Sequence, residues 1–190
     1  MLCFLYGPGE PGRYPTSLGH SFAIGCFFTF TIGMKDSNIN PSAYWTDRIQ
    51  PHVQSELDRG NSELYLEGDP SDNMVLTGAD VRELLALLIS YTETTAVTEL
   101  ILARNELDDD AATAIAAALP SLPFLAELSL IENKIGMIGA QALAAGISAS
   151  ALQNVWLQGT TQGWAINETI FAGAVNKHGH AVEITAKGMP

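Results

Sequence analysis

The chain has 190 residues, 47% of them hydrophobic, and a formal charge of −12 from 9 Lys and Arg against 21 Asp and Glu. That length fits one domain with a terminal extension, and the apolar fraction is enough for a continuous core. The acidic balance opposes nucleic-acid backbones and anionic membranes, and favours a protein partner with a basic surface or simply solubility.

Residues 1–40 differ from the rest. They hold five of the seven Phe and a Gly/Pro cluster, Gly7-Pro-Gly-Glu-Pro-Gly12. The apolar run Ser21–Met34 is shorter than the ~20 residues a membrane-spanning helix needs. It has neither the basic lead-in nor the small-residue cleavage pattern of a signal peptide. Phe28, Phe30 and Ile32 alternate with Thr29 and Thr31, which predicts a strand or hairpin. Two cysteines, Cys3 and Cys26, make no disulfide framework and read as buried thiols in a reducing compartment. Ser42 to Arg59 follows, with Tyr44, Trp45, Ile49, Val53 and Leu57 at near-helical spacing and Pro51 placed to bend the helix.

From residue 61 a pattern recurs. Val97 to Asn105 and Leu125 to Asn133 both spell L-x-x-L-x-L-x-x-N, 28 residues apart. Leu152 to Thr160 is a third copy, with Thr160 in the Asn place. Val182-Glu-Ile184 is a weaker fourth, its Val182 paired by spacing with Val155. Upstream, Glu63-Leu-Tyr-Leu66 has the L-x-L core with Asp69 in the Asn place. It lies 36 residues before Leu100, so the first unit carries an insertion, assigned to Asp69–Asn73.

Between the copies the period changes from 2 to 3.6. Helices are expected over 78–90 (inner stripe Val81, Leu84, Leu85, Leu88; N-cap Thr77), 111–119, 139–147 and 165–176. Ala112, Ile115, Ala116 and Leu119 would face the strands in one, and Ala140, Leu143, Ala144 and Ile147 in the next. The Asn amide is expected to bond backbone groups of the turn that follows it.

These residues resemble a leucine-rich repeat of the ribonuclease-inhibitor type. Leu125 to Ile147 follows that pattern through Asn133, Ile135, Gly139, Ala140, Ala142 and Leu143. Gly139-Ala-Gln-Ala-Leu-Ala144 also matches the GAxALA signature of GALA-type repeats in effectors that bacterial pathogens inject into host cells. The resemblance covers residues 61–187. It implies an α/β solenoid of about four to five units over 61–190, with short parallel strands on the concave side and helices on the convex side. Residues 1–60 would form an N-terminal cap.

The implied function is protein binding, through the concave face, that inhibits or regulates a partner: an enzyme covered at its active site, another effector or a host protein. The implied location is the cytoplasm or, for an effector, the host cytosol. The alternative is an adaptor that recruits a target to a host ubiquitin ligase through residues 1–60, although these lack the Leu-Pro start of an F-box.

If the strands align, outward positions form rows. One row is Glu63, Glu99, Glu127 and Asn154. The next is Tyr65, Ile101, Ser129, Trp156 and Glu183. Then come Glu67, Ala103, Ile131, Gln158 and Thr185, followed by Gly68, Arg104, Glu132 and Gly159. Tyr65, Ile101, Ile131 and Trp156 would be exposed apolar anchors beside stacked glutamates, the make-up of a binding hot spot; the alternative is that Trp156 and Tyr65 fold against the terminal extension. The candidate protein-binding residues are therefore Glu63, Tyr65, Glu67, Glu99, Ile101, Arg104, Glu127, Ser129, Ile131, Glu132, Asn154, Trp156 and Gln158.

Nothing points to catalysis, a cofactor or a metal. His178-Gly-His180 has no neighbouring Cys or spaced carboxylate, and nothing local pairs Cys3 or Cys26 with His20. The Gly/Pro cluster lacks the Lys-Ser/Thr of a phosphate loop. Asp108–Asp110 sits at an expected helix N-terminus, where the macrodipole favours carboxylates; calcium binding is the second choice there.

Overall fold

The computed structural model describes residues 41–72, 74–160 and 170–185. The expected aromatic hairpin and both cysteines lie outside them. The described chain starts with a π-helical turn, Trp45–Ile49, that runs into α1, Gln50–Asp58. The Gln50 N–H reaches Trp45 O, one residue further than in an α-helix. The wide turn accommodates Pro51 in the first turn of α1, which has no N–H to donate and crowds the carbonyl four residues back. Trp45, Val53 and Leu57 are buried, as their spacing predicts.

Five strands follow: β1 Glu63–Tyr65, β2 Glu99–Ile101, β3 Glu127–Ser129, β4 Asn154–Trp156 and β5 Glu183–Thr185. They form one parallel sheet in sequence order. Helices α2 (Gly78–Ser90), α3 (Asp109–Ala118) and α4 (Met137–Ile147) carry the chain between the first four. Leu64, Leu100, Leu128 and Val155 stand side by side in register and are buried. Leu102, Leu130 and Leu157 continue that layer, and α2 adds Val81, Leu84, Leu85 and Leu88. Each such side chain stabilises the fold by about 1.5–3 kcal/mol.

Polar groups in this core are closely matched. Asn133 Oδ1 accepts from the N–H of Asn105 (3.1 Å) and of Leu107 (2.9 Å), and its Nδ2 donates to Leu102 O and Ile131 O. Asn105 does the same one unit earlier, accepting from Leu76 N–H and donating to Leu66 O and Ala103 O. The amides thus serve mainly the turn of the preceding unit, not the turn that follows them. At the place of these amides in the first unit, the Asp69 carboxylate accepts from the N–H and the hydroxyl of Ser71.

The helix ends are satisfied by side chains. Thr77 and Asp80 form a capping box at the start of α2. Asp80, fully buried, also accepts from Ser42 N–H (2.6 Å) and Ser42 Oγ (2.9 Å), tying the segment before α1 to α2. Asp108 caps its own helix at Ala111 N–H, while Asp109 reaches across to the N–H groups of Gly136 and Gly139 at the start of α4. Close approach of α3 to α4 explains the small residues. A Cβ on Gly139 would stand 2.8 Å from Ala112 Cβ, and one on Gly146 2.7 Å from Ala116 O. Small residues here bring helix to helix.

Three further expectations change. The insertion is divided: twelve residues (66–77) separate β1 from α2 and seven (102–108) separate β2 from α3, while α2 has 13 residues and α3 has 10. Part of the expected last helix, 165–169, lies outside the described residues. Residues 170–176 are a turn ending in a bridge between Val175 and Ala181, with Gly173 at φ +74°, a conformation that ends helices. Finally, β4 pairs Val155 with Ile184, so the last strand sits two residues later than spacing from Val182 predicts.

Asn133→Ala leaves two buried N–H groups without acceptors and should lower stability by about 3 kcal/mol or more in urea unfolding. Asn133→Asp keeps the acceptor but sets a carboxylate against two carbonyls, and should be no milder at neutral pH. A loss below about 1 kcal/mol for the alanine variant would contradict this account of the turns.

Candidate protein-binding face

Opposite the buried leucines, the register lines up Glu63, Glu99, Glu127, Asn154 and Glu183. Glu183 therefore joins the acidic row, and Thr185 takes its place beside Trp156, because β5 sits two residues later. Parallel neighbours are about 4.8 Å apart, so the glutamates repel by a few tenths of a kcal/mol per pair. Glu63 is exposed and Glu99 and Glu127 are half-buried. Two neutral donors touch the row: Tyr65 Oη donates to Glu63 Oε2 and Asn154 Nδ2 to Glu127 Oε1, both at 3.3 Å.

The second row departs from expectation. Tyr65 is 61% exposed, but Ile101 and Trp156 are half-buried, and Ser129 is only 3% exposed. Ser129 is short and lies in register between Ile101 and Trp156, so it offers little surface to a partner. Partial desolvation, then the charges of Glu63 and Glu99, push the Tyr65 hydroxyl above the usual tyrosine value.

Along the strand ends, Glu67, Arg104 and Glu132 are exposed, Ile131 and Gln158 are half-buried, and Ala103 is buried. Arg104 bridges two acids, with Nη1 3.3 Å from Glu67 Oε1 and Nε 3.6 Å from Glu132 Oε2. Lys134 extends this charged edge through Glu106 at 2.9 Å, a pair the sequence analysis did not single out. Each exposed pair contributes about 0–1 kcal/mol. Arg104, Glu106 and Glu132 have φ of 60°, 56° and 53°. Gly159, in the place of Arg104 and Glu132 one unit on, has φ +71° without the Cβ penalty.

A cavity of about 230 Å³ lies at the β1 end of this face. Tyr44, Ile49 and His52 line it from the first helical segment, and Tyr65 and Glu67 from the end of β1. Sequence reasoning missed it because these residues belong to separate segments with no shared motif.

Among the described residues, no cluster of three or more His, Cys, Asp and Glu is placed to hold a metal ion. The His178 and His180 rings are 6.3 Å apart, with both backbone N–H groups donating to Asn176 Oδ1. Asp108 and Asp109 are engaged in helix capping. Among the described residues, no helix is long and apolar enough to cross a membrane. No family model and no curated protein matches the chain.

Two measurements check this geometry. Glu132→Gly should raise stability by about 0.5–1 kcal/mol in high salt, where the Arg104 pair is screened and the left-handed backbone strain remains. A drop in the urea midpoint would show that the strain is not there to relieve. In an ultraviolet pH titration, the Tyr65 component (wild type minus Tyr65→Phe) should ionise above the ordinary tyrosine value of about 10. Glu99→Gln should bring it down, since one of the charges opposing the phenolate is gone; an unmoved midpoint would remove Glu99 as a cause.

Proposed function

We propose that the chain is a leucine-rich-repeat solenoid of about four to five units whose concave strand face binds another protein. The solenoid reading is supported by the recurring L-x-x-L-x-L, the sequential parallel strands and the asparagine amides that join successive turns. The observation that carries the binding reading is the in-register row Glu63–Glu99–Glu127 beside the exposed ring of Tyr65. Exposed aromatic surface next to uncompensated charge is costly on a surface without a partner and favourable once a basic surface covers it.

The partner in this reading is a protein with a basic face. Binding inhibits or regulates it, by covering an active site where the partner is an enzyme. The bacterial-effector role, with delivery to a host cytosol, rests on the Gly139–Ala144 signature alone. The adaptor alternative needs residues 1–60 for the ligase. Within 41–60, Trp45, Val53 and Leu57 are turned into the core, which favours the strand face as the contact.

The partner can be recovered by cross-linking in the native source and its affinity measured with the purified chain. Tyr65→Ala should weaken binding roughly 30-fold, the loss of a typical hot spot. Glu99→Gln/Glu127→Gln should mainly slow association and flatten its salt dependence. Unchanged affinity in both variants would sink the strand-face assignment.

A further inference from the structure

The cavity beside β1 has the size and chemistry of a receptor for one side chain. We propose that it takes a cationic side chain, arginine in preference to lysine, from a basic partner segment lying along the strand face; this rests on the protein-binding reading above.

Its volume of about 230 Å³ is below the ~300–1,000 Å³ of pockets that enclose whole small molecules. One long side chain fits that scale. Ile49, Leu66 and Leu76 supply apolar lining for its methylene stem, and Tyr44 and Tyr65 supply aromatic surface for its head. The Tyr65 hydroxyl is occupied by Glu63, so the residue offers its ring. Asn105 also lines the cavity, but its amide is committed to three backbone bonds and is no ligand group.

Charge selects the occupant. Glu67 is the one carboxylate in the lining, and only its Oε1 carries a contact among the described residues, with Arg104 at 3.3 Å. The adjoining row of Glu63, Glu99 and Glu127 adds negative potential, and Arg104 itself stands between two acids. An anion would be repelled, and a neutral apolar group would desolvate Glu67 without replacing its water. A guanidinium can stack on tyrosine and pair with the carboxylate, and it sheds water more readily than an ammonium.

The test uses nine-residue Gly/Ser peptides with a lysine near each end and a central arginine, lysine, norleucine or glutamate. Each is titrated into the full chain by fluorescence anisotropy. The arginine peptide should bind tightest and the norleucine peptide about tenfold more weakly. Glu67→Gln, an exposed isosteric change checked for folding by circular dichroism, should weaken the arginine peptide roughly tenfold and abolish its advantage over norleucine. Glu127→Gln should leave that advantage intact. Equal binding of arginine and norleucine peptides, an arginine preference that survives Glu67→Gln, or no binding by any peptide would each overturn the proposal. If Glu99→Gln and Glu127→Gln weaken binding while Glu67→Gln does not, the cavity fails and the acidic face stands.

Discussion

Short parallel strands joined by helices create many turns whose N–H and C=O groups lie away from water, and each needs a partner. In this chain the partner is the buried amide of Asn105 or Asn133, supplied by the next unit. Because the donors and acceptors lie on adjacent units, a unit is satisfied only when its neighbour is in place. Hydrophobic stacking of Leu64, Leu100, Leu128 and Val155 drives the association, and the amides fix its register. The strand face, including its row of acids, is a consequence of that register.

The face then inherits an electrostatic problem that folding alone does not solve. Glu63, Glu99, Glu127 and Glu183 stand in one row, where among the described residues Tyr65 and Asn154 bring neutral donors to Glu63 and Glu127. Along the strand ends the pattern differs, with Arg104 and Lys134 interleaved among Glu67, Glu132 and Glu106. The charge is therefore balanced at the margin and unbalanced along the row, which Asn154 interrupts between β3 and β5. That contrast, more than the number of acids, distinguishes the row from the strand ends.

The repeating part was legible because its signals are short-range. Alternation around L-x-L fixes which residues of a strand point inward, and Thr77 marks the start of a helix; α2 spans the residues its pattern indicates. Long-range choices were not legible. Val182 and Ile184 are both apolar and two apart, so pattern alone cannot choose between them as the partner of Val155. The direction of the Asn133 bonds depends on which turn lies nearest in space. Ser129 looks available in one dimension, yet it is covered because Ile101 and Trp156 flank it across strands. The cavity residues converge from four segments, a coincidence no periodicity records.

The buried carboxylate of Asp80 has one more consequence. It holds Ser42 as well as Thr77, so the first helical segment cannot lift from α2 without stripping a charged group of its donors. At the other end of the described sheet the buried amide of Asn176 accepts from the N–H groups of His178 and His180 and donates to Leu152 O, while Thr160 has a buried hydroxyl without a hydrogen bond. Stripping a neutral amide of its donors costs less than stripping a buried carboxylate, so of these two ties the one that holds the first helical segment is the stronger. Backbone amides of the first helical segment would therefore exchange with solvent later than those of the turn at 176–180.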